Sequence, residues 1–565
     1  MNEVSRVVLI GFSGTGKTTV ARLLAERLGW DRYDTDEELE QQFGMTIPEV
    51  FAERGETTFR AAEREQLARA ISREKVVIAT GGGAVVDPAA WGPDLLGRPG
   101  TLVVALDAAP DTMLDRLRRQ QIEEGATVER PMLAGSDPRG RIEELKTRRQ
   151  EAYDRAAITL AVDAVPPEFV AAEIAALMPD PAAANQPSVR LPATSGTSEI
   201  YISPGVASSI GAAARDRWPK ARRAWIVTDT NVGEIHGIAM RDALGSCGFD
   251  VRLHAVAPGE GSKSLTTTAE LYDWMLDGGI ERGDVIVALG GGVVGDLAGF
   301  VAATVLRGVG FVQVPTSLLA MVDASVGGKT GINHRTGKNL IGAFYQPPVV
   351  LVDPRLLATM PPRSLTEGWA EVIKHAVIQP STPDGERADL LRVLERNVEQ
   401  LTNLTEPATT YVIGRNVGLK AAVVAADERE AGLRALLNFG HTLGHAIEAA
   451  DYRYLHGEAV AVGMRAAMRI ARELGLAEDA DALRLDRLIE AYRLPSTVET
   501  DPEVVMTKIV SDKKRVAGSQ RWVLPTAGGG AVIHDGIAEE TVRRALDAVR
   551  YHGPESEASS PRDVH

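Results

Sequence analysis

The sequence predicts an α/β protein that ends in a helical region. Up to Met178, short apolar runs such as VVLI and TLVVAL alternate with helix-period segments such as TTVARLLAERLG, which is typical of a parallel sheet with crossover helices. A second alternating segment, residues 200 to about 358, predicts another α/β domain. After Pro361, long amphipathic stretches such as SLTEGWAEVIKHAVI predict an all-helical domain.

Composition restricts the functions that the chain can have. A length of 565 residues predicts three or four packed units. The formal net charge of -15 argues against a nucleic-acid or membrane surface, so we predict neither partner. Cys247 is the single cysteine, which excludes an internal disulfide framework and a cysteine-rich zinc site. The N-terminal VVLIGF is too short for a secretory leader, and we expect a cytoplasmic protein.

Changes in composition along the chain predict the domain boundaries. The stretch PDPAAANQPSVRLPATSGTSE is rich in Pro, Ala, Ser and Thr and lacks periodicity, as expected of a linker. The tail HGPESEASSPRDVH is predicted to be disordered. The expected organisation is an α/β domain at 1–178, a linker at 179–199, an α/β domain at 200–358, a helical domain at 359–551 and a tail at 552–565.

The first predicted site is a phosphate-binding loop. Residues Gly11 to Thr18 match G-x-x-x-x-G-K-[ST] directly after a predicted strand and before a predicted helix, so backbone N–H groups can surround phosphates. In this pattern Lys17 reaches the outer phosphates and Thr18 holds magnesium. The nucleotide-binding residues predicted from the loop are Gly14, Thr15, Gly16, Lys17, Thr18 and Thr19.

Several residues downstream of the loop could recognise a second substrate. They are Asp34 and Asp36 in YDTDEEL, Arg60 in TTFRAAE, Gly81 to Gly83 in ATGGGAV, Arg130 in ERPML and Arg149 in RRQEAY. Each alone is unspecific, but together and in this order they resemble shikimate kinase over nearly the whole first domain. The resemblance implies that Asp34 supports magnesium and that Arg130 lies on a lid over ATP. Shikimate would be held by Asp36, Arg60, Gly82 and Arg149.

The chemistry of phosphoryl transfer agrees with this set. The reaction needs positioning and charge neutralisation more than covalent help, and a guanidinium fork suits a planar carboxylate. Asp36 is the natural base to orient the hydroxyl, with Lys17 as the second catalytic residue. The long stretch RRQQIEEGATV before Arg130 departs from the family pattern and leaves the lid contacts open.

A second glycine-rich motif follows the predicted strand VIVAL. Residues Gly290 to Gly295 read GGGVVG, formally G-x-G-x-x-G, yet Val314 and Pro315 stand where an acid would grip the ribose of a dinucleotide. By itself the motif is compatible with a turn that binds nothing.

Further residues accompany this motif: Asp229 and Asn231 in TDTN, Glu260 and Lys263 in PGEGSK, Asp296 just after the glycines, and Thr316 with Ser317 in PTS. They resemble the NAD-binding positions of 3-dehydroquinate synthase. The resemblance continues through DASVGGKTGIN, GKNLIGAFYQP, GWAEVIKHA, DEREAGLRALLNFGHTLGHAIE and LHGEAVAVG, and so spans about residues 200 to 550. The NAD-binding residues that it implies are Asp229, Asn231, Glu260, Lys263, Gly291, Gly292, Val293, Asp296, Thr316, Ser317 and Lys338.

Two histidines in NFGHTLGHAIE raise the question of a metal site. His441 and His445 are one helical turn apart, and this spacing alone favours both as ligands of one ion. The family resemblance instead assigns the metal to Glu371, His441 and His456 and makes His445 an acid/base group. We follow the family, because one Glu and two His with an open position suit a catalytic metal that polarises an alcohol.

Cationic residues are frequent within the matched motifs. The resemblance implies that they hold 3-deoxy-D-arabino-heptulosonate 7-phosphate, a doubly anionic sugar acid. The implied substrate-binding residues are Arg307, Asp323, Lys329, Asn339, Lys374, Lys420, Arg434 and Asn438. Glu430 and His445 are the candidates for proton transfer. Lys513 and Lys514 lie in a looser match, and which of them enters the site stays open.

The two resemblances together imply a P-loop kinase-like parallel-sheet domain, a Rossmann-like α/β NAD domain and a helical domain for metal and substrate. They imply ATP with Mg²⁺ in the first part, NAD⁺ with Zn²⁺ or Co²⁺ in the second, and a homodimer through the synthase half. A rival hypothesis is a polyol dehydrogenase similar to glycerol dehydrogenase, which would release NADH. Another is a nucleotide-gated metal-binding module, which would leave Asp36, Arg60 and Arg149 without a purpose. We expect two separable activities joined by the linker.

Overall fold

The computed structural model describes residues 4–123, 136–178, 186–451, 453–513 and 521–551. It divides the chain into two compact units, the first formed by Met1–Ala184 with Gly385–Tyr411, the second by Asn185–Asp384 with Val412–His565. The predicted lid residue Arg130, the first part of the predicted linker at 179–185, Lys514 and the tail at 552–565 lie outside the described residues.

The strands and α-helices follow in chain order. The strands are β1 Arg6–Ile10, β2 Asp31–Asp34, β3 Val76–Ala79, β4 Thr101–Asp107, β5 Ile158–Ala161, β6 Val189–Ala193, β7 Gly196–Ile202, β8 Arg223–Asp229, β9 Asp250–Val256, β10 Val285–Gly290, β11 Gly310–Pro315, β12 Lys329–His334, β13 Gly337–Phe344, β14 Val349–Val352, β15 Arg521–Pro525 and β16 Ala531–Asp535. The helices are α1 Lys17–Leu28, α2 Thr35–Phe43, α3 Ile47–Ile71, α4 Pro110–Glu123, α5 Pro138–Tyr153, α6 Pro167–Ala176, α7 Ile210–Arg217, α8 Thr230–Gly245, α9 Leu265–Asp277, α10 Gly292–Thr304, α11 Pro362–Ile378, α12 Leu390–Arg396, α13 Val398–Thr402, α14 Ala408–Ala426, α15 His441–Ala450, α16 His456–Glu473, α17 Asp479–Ala491, α18 Pro502–Lys513 and α19 Glu539–Asp547.

The first unit contains a five-stranded sheet with the order β2-β3-β1-β4-β5. All its strand pairs are parallel, and β1, β3 and β5 are buried along their whole length, as a sheet covered on both faces requires. Helix α1 begins directly after Gly16 and ends before Gly29, which closes it in the left-handed conformation at φ 64. The phosphate loop therefore lies at the carboxyl edge of the sheet, where ligands of open α/β sheets bind.

The second unit contains a seven-stranded sheet with the order β6-β7-β14-β11-β10-β8-β9. Its core packs Trp225, Leu297 and Phe311 among aliphatic side chains. Strands β6 and β7 pair antiparallel with each other, and β7 pairs parallel with β14. The second part of the segment expected as a linker is thus sheet, because Leu191, Ile200 and Ile202 alternate with polar residues and bury their side chains.

The region after Pro361 is mainly helical, as the amphipathic pattern predicts, and it also contains an antiparallel pair of strands, β15 and β16. The turn between these strands holds Gly528, Gly529 and Gly530, all at positive φ, which explains why a short hairpin forms there. Helices α12 and α13 belong to the first unit. In the described part of the chain, no helix is both long and apolar enough to cross a bilayer.

Candidate active sites

The phosphate loop connects β1 to α1 and is shaped by left-handed glycines. Gly14 and Gly16 have φ 84 and φ 87, which a residue with a Cβ rarely adopts. Lys17 folds back over the loop, and its Nζ donates to the carbonyls of Gly11 at 3.0 Å and Phe12 at 2.9 Å. Burial lowers the pKa of Lys17 to about 8. Thr15 is buried beneath the loop and Thr19 is exposed on α1.

The two residues predicted to share magnesium are brought together. Thr18 Oγ1 donates to Asp34 Oδ2 at 2.8 Å. The other oxygen of Asp34 accepts the backbone N–H of Asp36 at 3.1 Å and so caps α2. A hydroxyl and a carboxylate oxygen thus converge beside the phosphate loop, which is the donor set that Mg²⁺ prefers.

The predicted shikimate-binding residues converge on the glycines that follow β3. A Cβ at Gly81 would lie 2.7 Å from Asp36 Oδ1, and a Cβ at Gly82 would lie 3.3 Å from Arg149 Nη1. Arg149 Nη1 donates to Gly82 O at 3.0 Å, and a Cβ at Gly83 would collide with Arg60. Burial, followed by the charge of Asp34, raises the pKa of Asp36 to about 7. A carboxyl of this kind can accept a proton near neutral pH.

Two further residues support this cleft, and the sequence analysis missed both. Glu63 Oε2 accepts from Arg60 Nη1 at 2.6 Å, and Tyr153 OH donates to Gly82 O at 2.6 Å. Each lies one helical turn after a predicted arginine, Glu63 after Arg60 and Tyr153 after Arg149. That spacing was visible in the sequence, but it is common on any helix.

The second glycine motif lies at the carboxyl end of β10, at the start of α10. Gly292 and Val293 form the first turn of α10, and the N-cap is Gly291, where a Cβ would lie 3.3 Å from Ser317 Oγ. The Thr316 N–H donates to Gly290 O at 3.0 Å and holds the strand ends together. The backbone is therefore bare at a helix N-terminus, an arrangement that accommodates a pyrophosphate.

The other predicted NAD residues fall into two groups. Asp229 caps α8 by accepting from Val232 N at 3.0 Å, next to Asn231 in the first turn. Lys263 Nζ contacts Asp296 Oδ2 at 2.7 Å and also donates to Asn339 Oδ1. Glu260 lies at the start of the same turn and accepts from Asn333 Nδ2 at 2.7 Å.

The predicted metal ligands meet in the helical region. Helix α15 packs so closely on α16 that a Cβ at Gly444 would lie only 3.0 Å from Val460 Cα. This packing positions the histidines. Three histidines come together here, His441, His445 and His456. Each has one ring nitrogen that lies within 4.8 Å of a ring nitrogen of the other two. Glu371 Oε1 lies 3.6 Å from Nε2 of His441 and 3.6 Å from Nε2 of His456.

Glu371 Oε1 is buried without a hydrogen-bond partner, which is costly for a carboxylate oxygen. A divalent cation bound among Glu371, His441 and His456 would satisfy it, so these residues fit a metal. The geometry also brings His445 within reach, and it does not by itself choose between His445 and His456 as the second imidazole.

The charges around this cluster are strongly coupled. Burial alone would raise the pKa of Glu371, but Lys374 and the two histidines hold it well below its usual range. Burial lowers the pKa of His441 to about 3. Burial alone would also lower the pKa of His456, but the neighbouring carboxylates of Glu371 and Glu448 raise it to about 10.

Glu448 is a site residue that the sequence analysis missed. Its Oε2 lies 3.4 Å from His456 Nδ1, and its Oε1 accepts from Lys338 Nζ at 2.6 Å. Carboxylates behind a metal-binding imidazole fix the orientation of the ring. Glu448 follows His445 by three residues and His441 by seven, which places all three on one face of α15 and could have revealed it.

The predicted anion-binding residues surround Asp323. Lys374 Nζ lies 3.9 Å from Asp323 Oδ1, and Lys420 pairs with the same oxygen. Burial lowers the pKa of Lys420 to about 8, although Asp323 opposes this shift. His375 is buried beside them and its Nδ1 lies 3.0 Å from Asn416 Oδ1.

The proton-transfer candidate Glu430 forms a second group. It pairs with Lys329 and accepts from Asn438 Nδ2 at 2.6 Å, while Arg434 donates to Gly327 O at 3.2 Å. Burial alone would raise the pKa of Glu430, but the hydrogen bond from Lys329 lowers it. Arg307 is exposed after α10 and no described side chain pairs with it.

Comparison with known proteins assigns the two regions. Three family models match the chain: shikimate kinase over residues 13–179, 3-dehydroquinate synthase N-terminal over residues 253–367 and 3-dehydroquinate synthase C-terminal over residues 368–515. The 3-dehydroquinate synthase of Symbiobacterium thermophilum is 45% identical over 355 residues, which are 62% of this chain and 97% of that protein. The chain belongs to the 3-dehydroquinate synthase family.

Further relatives agree with this family. The 3-dehydroquinate synthase of Caulobacter vibrioides is 45% identical over 359 residues, 62% of this chain and 94% of that protein. Among solved structures, ValA, the 2-epi-5-epi-valiolone synthase of Streptomyces hygroscopicus with NAD⁺ and Zn²⁺ bound, is 29% identical with a TM-score of 0.57, covering 62% of this chain and 96% of that one.

The chain thus joins a shikimate kinase region to a 3-dehydroquinate synthase region, and both resemblances stated from the sequence are confirmed. The family matches support the synthase over the rival polyol dehydrogenase.

Proposed function

We propose that the kinase region transfers the γ-phosphoryl group of ATP to shikimate and so forms shikimate 3-phosphate. The observation that supports this acceptor is the convergence of Asp36, Arg60 and Arg149 on bare glycine backbone beside the phosphate loop. Asp36 would accept the proton of the attacking hydroxyl, and the two guanidinium groups would hold the carboxylate. Thr18 and Asp34 would hold Mg²⁺, and Arg130 would bind the nucleotide.

We propose that the synthase region converts 3-deoxy-D-arabino-heptulosonate 7-phosphate to 3-dehydroquinate and phosphate. The partnerless Glu371 Oε1 facing two imidazoles is the observation that supports metal-assisted chemistry. When bound, NAD⁺ would accept and return a hydride and Zn²⁺ or Co²⁺ would lower the pKa of a substrate hydroxyl. Glu371, His441 and His456 would hold the ion, and the glycines at the start of α10 would accept the dinucleotide.

The side chains of this pocket would do the remaining work. Lys374 and Lys420 are buried beside one carboxylate and offer charge to the anionic groups of the substrate. Glu430 and His445 would move protons, since one is a carboxylate that Asn438 holds in place and the other an imidazole at the rim of the metal cluster. Asn339, Asn438, Lys329, Arg434 and Arg307 would orient or bind the sugar acid.

One incubation tests the synthase assignment. The full chain with the heptulosonate phosphate, NAD⁺ and zinc should release phosphate without accumulating NADH, because the hydride returns to the intermediate. Accumulation of NADH without release of phosphate would instead support a polyol dehydrogenase.

A variant tests the kinase assignment in the same chain. Lys17→Ala should lower shikimate-dependent ATP consumption by at least about 100-fold, because one charged donor to the transferring phosphoryl group is lost. Phosphate release by the synthase should stay unchanged, and the exposed control Arg69→Ala should change neither rate. An unchanged kinase rate in Lys17→Ala would contradict the assignment of the site.

We also propose, from the family resemblance, that two chains pair through the synthase region. The cytoplasmic location stays a proposal made from the sequence. Sedimentation of the full chain tests the pairing directly, since a monomer at micromolar concentration would contradict it.

A further inference from the structure

The segment Gly385–Tyr411, called the edge segment below, lies in an unexpected part of the fold. By sequence it falls inside the stretch 368–515 that matches the synthase C-terminal model. In the structure it clusters with Met1–Ala184, the unit that carries the phosphate loop. The chain therefore returns to the kinase unit some two hundred residues after leaving it.

Asn397 in the edge segment hydrogen-bonds to the backbone of Thr159 in β5, the strand at one edge of the kinase sheet. It is fully buried, its Oδ1 accepts from Thr159 N at 2.7 Å and its Nδ2 donates to Thr159 O at 2.8 Å. One side chain thus bonds to the backbone N–H and the backbone C=O of Thr159, which would otherwise bond to a neighbouring strand. An edge strand is normally protected in some such way from pairing with other chains.

Two arginines of the edge segment pair with carboxylates at the ends of β4 and β5, and Lys146 of α5 also lies 2.7 Å from Asp107 Oδ1. Arg396 Nε donates to Asp107 Oδ2 at 2.8 Å, and Arg392 pairs with Asp163 and lies 3.6 Å from Asp107. Asp163 Oδ1 also accepts from Ala109 N at 2.7 Å, which ties the turn after β5 to the turn after β4.

These carboxylates lie at the nucleotide end of the sheet. Gly11 lies against Leu106, the residue before Asp107, because a Cβ at Gly11 would collide with the Leu106 carbonyl. A Cβ at Gly14 would lie 3.0 Å from Met113 O. The phosphate loop therefore rests against the end of β4 and the start of α4. A displacement of Asp107 would therefore be transmitted to the loop that binds the nucleotide phosphates.

We propose that the edge segment is an integral part of the kinase unit. It binds along β5 and holds the nucleotide end of the kinase sheet in place. Arg392, Arg396 and Asn397 are then positioning residues for the kinase, although they lie in sequence matched to the synthase. The kinase cannot be separated by cutting the predicted linker. The nucleotide effect rests on the proposed kinase function, whereas the attachment does not.

Attachment is tested without any activity measurement. A protease site is placed within residues 179–185 of the full chain, and the cleaved protein is passed over a size-exclusion column under native conditions. The two fragments should elute together. The triple variant Arg392→Ala, Arg396→Ala, Asn397→Ala should elute as two fragments, with its synthase rate unchanged. Separation of the unmutated fragments, or joint elution in the triple variant, would overturn the proposal.

Positioning is tested by steady-state kinetics on the uncut chain. Arg396→Ala should raise the KM for ATP about fivefold, as loss of a half-buried ion pair implies, with little change in the KM for shikimate. Arg396→Lys should recover part of the loss, and Arg69→Ala should show none. An unchanged KM for ATP, or an equal rise in both KM values, would refute the positioning role. If the unmutated chain has no shikimate-dependent ATP turnover, the proposed kinase function fails and the fragment experiment still decides the attachment.

Discussion

Binding of zinc to the metal-free protein should release about one proton at neutral pH. The proton is held on His456, because its Nε2 lies 3.6 Å from Glu371 Oε1 and its Nδ1 lies 3.4 Å from Glu448 Oε2. These two carboxylates raise the pKa of His456 to about 10 against the effect of burial. A metal ligand must be a neutral imidazole, so zinc has to displace the Nε2 proton. His441, with a pKa of about 3, has no proton to lose.

The magnitude follows from the distance between this pKa and the working pH. With a pKa of about 10, His456 holds its proton at pH 7, about three pH units below that pKa. Competition between this proton and zinc therefore costs about 4 kcal/mol, a factor of about 1000 in the apparent affinity for zinc. The sign is that the apparent zinc affinity rises as the pH rises, by about tenfold per unit between pH 6 and pH 9. Above the pKa of His456 this dependence should disappear.

Calorimetric titration of zinc in two buffers with different protonation enthalpies measures the protons released. Glu448→Gln is the matched variant, since it removes one of the two carboxylates that hold the proton but removes no predicted ligand. It should release fewer protons at neutral pH and flatten the pH dependence. Zinc binding that releases no proton and is independent of pH from 6 to 9 would refute this account of the charges.

Two further predictions concern the lysines around Asp323. Lys420→Met should weaken binding of the heptulosonate phosphate by about 10- to 100-fold, as loss of a charged hydrogen bond implies. In the unmutated enzyme the KM for this substrate should rise above about pH 8, because Lys420 loses its charge there. The KM of the variant should not rise in this pH range. Lys374→Met should destabilise the metal-free protein by about 3 kcal/mol, because Glu371 keeps its buried charge without its nearest cation. Calorimetric melting should then show that zinc raises the Tm of this variant more than that of the unmutated chain; an equal rise would contradict the pairing.

Local patterns in the sequence were sufficient to predict the elements that build both sites. The phosphate loop depends on consecutive residues, and Gly11 to Thr18 run from the end of β1 into the first turn of α1 as the motif requires. The residues of the metal cluster came from family resemblance, because spacing within α15 favoured His445 over the distant His456. No local pattern could bring Glu371, seventy residues upstream, to the same point.

What the sequence did not predict depends on contacts between distant residues. Asn397 and Thr159 are separated by 238 positions, and the buried pairing between them leaves no periodicity in either segment. The helices of the edge segment have an ordinary amphipathic pattern, which records that one face is buried but not against which partner. Glu448 was missed for a related reason, since a glutamate on a helix is usually solvated.

The pocket around Asp323 and Glu371 carries these two acids and, in Lys374 and Lys420, two buried bases. A divalent cation or a dianionic sugar acid arriving alone would leave a net charge enclosed in a medium of low polarity, whereas the two together cancel. The ion and the substrate should therefore strengthen each other's binding, so that an enzyme deprived of metal is also one that scarcely retains its sugar acid.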